Sequence, residues 1–86
     1  MGENWLIIER TKKFDKFLKH INDKAFREKA YKQIQKIITD PEIGKPMRHD
    51  RKGTRELYLS PFRISYSYFN DLDKLILLDI YHKDEQ

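Results

Sequence analysis

Cysteine is absent from this chain, which excludes disulfides, thiolate nucleophiles and cysteine-based zinc sites together. Glycine and proline are scarce, at three each, and two of each fall between residues 41 and 53. No apolar run approaches the roughly 20 residues that a membrane-spanning helix needs. The N-terminus lacks the charged-then-apolar pattern of a signal peptide. Gly2 is followed at position 6 by Leu6 instead of Ser or Thr, which argues against myristoylation. The expectation is a soluble cytoplasmic protein that does not engage a membrane.

Charge, by contrast, is abundant: 37% of the 86 residues are charged against 38% hydrophobic. A chain of this size holds one domain, residues 1–86, with a thin core under a charged shell. Five Phe, five Tyr and one Trp offset the thin core, because each aromatic buries a large apolar area. The net charge of +4 fits nucleic acid, an acidic membrane or an acidic partner equally well. Its distribution is more telling. Lys45, Arg48, Arg51, Lys52 and Arg55 crowd into eleven positions with only Asp50 in opposition and His49 as a further potential cation.

The hydrophobic pattern predicts a β-α-α-β-β-β order. Trp5-Leu6-Ile7-Ile8 reads as a short first strand. Thr11 caps a helix with Phe14, Phe17, Leu18 and Ile21 on one face. Asn22-Asp23 breaks it, and Asp23 caps a second helix with Phe26, Ala30, Ile34, Ile37 and Ile38 on one stripe. That helix ends before Pro41, since a proline pushes the preceding residue out of the α region. Residues 41–53 read as a long loop, and long loops in small domains tend to be functional or mobile. Strands follow at 55–59, 62–69 and 74–81, turned at Ser60-Pro61 and at 70–73. The predicted fold class is α+β: an antiparallel sheet with a helical hairpin on one face. Strict alternation puts Ile64, Tyr66 and Tyr68 on one side of the middle strand and Arg63, Ser65 and Ser67 on the other. In the last strand it sets Leu75 and Leu77 against Ile76, Leu78 and Ile80.

Arg63 is the most informative cation, because an arginine inside a strand needs a partner or an anionic groove. Its planar fork suits phosphate or carboxylate. The plain alternative is an ion pair with Glu56 on the neighbouring strand, and the two roles are compatible. The basic loop fits a phosphate backbone; its plain alternative is a solvated surface. His82-Lys83 offers a proton carrier and a cation, against the plain reading of a frayed chain end. His20, His49 and the carboxylates lack metal-ligand spacing, so no metal or other cofactor is expected.

Three stretches together resemble the RelE/ParE toxin superfamily: Gly44-Lys45-Pro46-Met47-Arg48, Arg55-Glu56-Leu57-Tyr58-Leu59 and Phe62-Arg63-Ile64-Ser65-Tyr66. The His82-Lys83 pair follows where many members carry two basic residues, and the likeness covers essentially the whole chain. The resemblance implies a RelE-like fold and a toxin of a type II toxin–antitoxin system. It implies a ribosome-dependent, metal-independent endoribonuclease that cleaves mRNA. It implies Arg63, His82 and Lys83 as catalytic residues, and Lys45, Arg48, Arg51, Lys52 and Arg55 as RNA-binding residues. The implied partners are a RelB-like antitoxin in a hetero-oligomer, the ribosome and mRNA. RelE-like nucleases often carry a tyrosine a few residues past the C-terminal cation. None follows Lys83 here, so the resemblance implies either proton transfer through His82, with Glu56 the weaker candidate, or a weak or altered activity. Two alternatives stay open: a ParE-like DNA gyrase inhibitor without nuclease activity, and a nucleic-acid-binding module without catalysis.

Overall fold

Side-chain alternation along one strand divides this molecule into a helical side and an open side. The computed structural model describes residues 5–82. Its elements are β1 (Ile7–Arg10), α1 (Lys12–Lys19), α2 (Lys24–Thr39), β2 (Lys45–Pro46), β3 (Arg55–Leu59), β4 (Phe62–Phe69) and β5 (Lys74–His82). The five strands lie in the order β1-β5-β4-β3-β2. Neighbours run antiparallel except β1, which joins β5 in parallel and makes the sheet mixed. The α+β class and the two-helix, one-sheet arrangement agree with the sequence reading.

Local chemistry sets the helix limits. Thr11 Oγ1 accepts from the Phe14 amide at 3.1 Å and donates to the Leu78 carbonyl at 2.6 Å, so one hydroxyl starts α1 and ties it to β5. The Asp23 carboxylate accepts from the amides of Ala25 and Phe26, satisfying donors that have no partner in the first helical turn. The apolar stripes of both helices then meet the sheet. Phe14, Ala30 and Ile37 are fully buried with Ile64, Tyr66 and Leu75.

Three features differ from the sequence reading, besides β5 running one residue further, to His82. β1 begins at Ile7 instead of Trp5, because its ladder with β5 starts at the Ile7–Lys74 pair; Trp5 is 76% exposed. The predicted loop holds β2, whose Lys45 and Pro46 face Glu56 and Arg55, and a one-turn 3-10 helix at His49–Arg51. The third difference matters most for function. Tyr66 faces Leu77 but Ser65 faces Asp79, so β5 carries an extra residue at that point. Such a bulge reverses the alternation beyond it. Ile80, expected on the side of Ile76, instead joins Leu75 and Leu77 in the core.

Tyr66 locks the loop after α2 to the sheet. Its hydroxyl donates to the Pro41 carbonyl and accepts from the Gly44 amide, both at 2.8 Å. Gly44 is required by proximity: a Cβ there would lie 2.6 Å from the Tyr66 hydroxyl oxygen. Burial pushes the Tyr66 phenol above its ordinary value, the Gly44 hydrogen bond opposing that effect. The folded state therefore prefers the protonated phenol. This contribution to stability is complete below the unfolded tyrosine value of about 10 and is lost as pH rises through the higher folded value. Tyr66→Phe is expected to cost about 1–3 kcal/mol at neutral pH by leaving the two loop groups unsatisfied. In urea unfolding followed from pH 7 to above pH 10, the gap between parent and variant should narrow on the alkaline side.

Candidate functional site

β3 and β4 pair so that Glu56 faces Ser65 and Tyr58 faces Arg63, placing all four on the side of the sheet opposite the helices. The Glu56 side chain is only 4% exposed. A carboxylate removed from water needs charge compensation, and two guanidinium groups supply it. Arg63 Nη1 lies 3.3 Å from Glu56 Oε1, and Arg51 Nη1 lies 3.0 Å from Oε2. Arg63 therefore does pair with Glu56 while staying 35% exposed, so the pair fixes its direction and leaves part of it facing solvent. Arg51 comes from the 3-10 turn after β2. Its Nη1 also donates to the Tyr81 hydroxyl at 2.5 Å, and its guanidinium carbon lies 4.9 Å from the centre of the Tyr81 ring.

Tyr81 arrives on this face through the bulge. Beyond it Arg63 pairs with Tyr81, and Phe62 pairs with His82. The His82 ring meets Phe62 edge-on at 5.4 Å, and Phe62 in turn packs on Phe17 and Phe26 of the helices. Among the expected catalytic residues, then, Arg63 lies in the open-face cluster, His82 lies on the helical side, and Lys83 falls outside the described residues. Had the ladder continued without the extra residue, Arg63 would have faced Ile80, and His82 would have shared its side of the sheet.

The basic residues separate in the same way. Lys45, Arg48 and Lys52 are exposed, and Lys45 and Arg48 line one groove with Met47 and His49. Arg51 is committed to Glu56 and Tyr81. Arg55 lies in register with core residue Tyr66, and its Nη1 donates to the carbonyls of Glu42 and Gly44 at 3.0 and 2.8 Å. It therefore holds the loop with Tyr66 instead of facing the open side. Sequence reasoning had no means of finding Tyr81 or the second partner of Glu56, because both depend on the bulge and on the turn at Arg51. Among the described residues, no group of three or more His, Cys, Asp or Glu could hold a metal ion. No helix among them is long and apolar enough to cross a membrane.

A small α+β layer of two helices on a five-stranded mixed sheet is a fold shared with solved RelE and ParE toxins. Residues 8–86 match the family described as ParE toxin of type II toxin–antitoxin system, parDE, and the chain belongs to that family. A YoeB/ParE toxin from Agrobacterium tumefaciens superimposes with a TM-score of 0.78 at 15% identity, covering 90% of this chain and 98% of that one. The intact E. coli RelBE toxin–antitoxin complex gives 0.75 at 12% identity, covering 91% and 96%. A YoeB-YefM complex from Staphylococcus aureus gives 0.72 at 15% identity, covering 91% and 97%. At these identities the likeness establishes the fold. Comparison by sequence with curated proteins returns no match.

The Glu56 ion-pair cluster makes a stability prediction. Glu56→Gln should lower unfolding free energy by about 1–3 kcal/mol, because both arginines lose a charged acceptor. Urea unfolding at neutral pH measures it, and parental stability would remove Glu56 from the role of organiser.

Proposed function

We propose that this toxin is a RelE-like, ribosome-dependent endoribonuclease that cleaves mRNA by attack of the RNA 2′-hydroxyl on the adjacent phosphate. The observation that carries this reading is the open-face cluster of Arg63, Glu56, Arg51 and Tyr81. A preorganised guanidinium on the scissile phosphate stabilises charge that develops only in the transition state. Attack forms the O2′–P bond and breaks the P–O5′ bond, leaving a 2′,3′-cyclic phosphate and a 5′-hydroxyl. The reaction needs an acceptor for the 2′ proton and a donor to the 5′ oxygen. In this reading Glu56 accepts the first proton and the Tyr81 hydroxyl supplies the second. Arg63 grips the phosphate, while Lys45, Arg48 and Lys52 draw the RNA towards the sheet. Lys83 remains a proposed further cation at the phosphate. His82 keeps the end of β5 seated on Phe62.

The toxin would act in the cytoplasm, where ribosomes are, and be neutralised by a RelB-like acidic antitoxin in a hetero-oligomer. A second reading is favoured by the family description itself: ParE-like inhibition of DNA gyrase, which requires a binding surface and no proton chemistry. One purified preparation separates the two. Single-turnover cleavage of mRNA on purified ribosomes supports the nuclease, whereas loss of gyrase supercoiling without cleavage replaces it.

Within the nuclease reading, Arg63→Ala should slow single-turnover cleavage by about 100- to 1,000-fold with the fold intact by circular dichroism. Tyr81→Phe should slow it by about 100-fold or more while leaving ribosome association unchanged, and His82→Ala should slow it less than Tyr81→Phe. The reverse order would return the proton to His82.

A further inference from the structure

The open face carries a second feature beside the charged cluster. Ile43, Lys45, Met47, Tyr58 and Arg63 line one groove of about 360 Å³ with Glu56 on its wall. Tyr58 is the cross-strand partner of Arg63, so their side chains leave the sheet as immediate neighbours on one face. Tyr58 is 50% exposed and Ile43 is 42% exposed. This aromatic surface and its aliphatic neighbours are left uncovered at the point where β2 and β3 meet.

A surface built only to hold phosphate has no use for Ile43 and Met47. A flat ring, two aliphatic side chains and a guanidinium in one groove match instead a nucleotide, which presents a stacking base beside its phosphate. Unpaired RNA bases are commonly held by stacking on aromatic side chains, and every base has a face to offer. Lys45 on the same wall adds attraction for the RNA backbone.

We propose that Ile43, Met47 and Tyr58 form a shelf that takes the base of the nucleotide whose phosphate Arg63 holds. The assignment rests on the nuclease reading above and adds to it the residues that position the substrate. Tyr58 is a positioning residue in this scheme: it fixes the nucleotide so that its phosphate meets Arg63, and it takes no part in proton transfer.

The test uses purified ribosomes carrying an mRNA whose A-site codon is intact or lacks one base, with single-turnover cleavage as readout. Parent toxin should cut the intact template and lose about 5- to 100-fold in rate when one particular base is absent, the range expected for losing one stacked base. Tyr58→Ala should lose a similar factor on the intact template and no longer distinguish the two templates. Tyr58→Phe, which keeps the ring, should behave as the parent does. Ile43→Ala, a milder change, should reduce the same discrimination. Tyr58→Ala with the parental rate and the parental penalty for the missing base would overturn the shelf while leaving the nuclease intact. A Tyr58→Ala loss equal on both templates, with the base penalty retained, would mean that Tyr58 docks a protein surface and would overturn it as well. Parent toxin that cuts neither template would remove the nuclease reading, and the shelf with it.

Discussion

Successive residues of a strand face opposite ways, and what β5 contributes to the open side of this sheet depends on where that rule is interrupted. A single extra residue in β5, opposite Ser65 and Tyr66, resets the phase of all that follows. Without it, Ile80 would be aimed at solvent and the core would lose an apolar side chain that is 3% exposed. With it, Ile80 completes the apolar layer, the phenol of Tyr81 stands next to Arg63, and the imidazole of His82 goes to the aromatic cluster on the other side. Thr11 braces the same place by bonding the Leu78 carbonyl. The demands of the core and the composition of the site are met by one irregularity.

On the open face, two arginines are organised around the buried carboxylate of Glu56. A lone arginine on a sheet is a flexible cation with many rotamers, and ordering it for phosphate costs entropy when the ligand arrives. Here a buried carboxylate imposes that order in advance on two arginines from different parts of the chain. The arrangement also explains why the basic loop, so conspicuous in the sequence, does not act as a uniform patch. Arg51 and Arg55 are used internally, one to align the phenol and the other to hold the loop carbonyls. Lys45, Arg48 and Lys52 remain at the surface.

Helices, caps and the three C-terminal strands were legible because their signals are local. Thr11 and Asp23 sit one residue before their helices, the apolar spacing of Phe14 to Ile21 is helical, and Pro41 marks an end. The open-face position of Arg63 and its contact with Glu56 were legible for the same reason, since period-two alternation holds through β4. Two kinds of information were not. β1 has no partner within its own neighbourhood of the chain, so its limits are set by β5 and not by the apolar run at Trp5. The bulge leaves no mark in Leu77-Leu78-Asp79-Ile80, which would serve either phase. The sides taken by Tyr81 and His82 thus depend on long-range packing, and the sequence alone could not say which of the two shares the face of Arg63.

The parallel pairing of β1 with β5 joins segments at nearly opposite ends of the described chain, Ile7 with Lys74 through Arg10 with Leu77. Contacts so distant in sequence close the largest loops available and are slow to form. The strand that brings Tyr81 to Arg63 is also the strand that the N-terminal segment needs as its template. During synthesis, then, a nascent chain can assemble its helices and the β3–β4 hairpin, yet neither the completed sheet nor the Arg63–Tyr81 face exists until Lys74–His82 has left the exit tunnel. Under the proposed nuclease reading, the surface that would act on RNA stays unassembled until β5 has been synthesised.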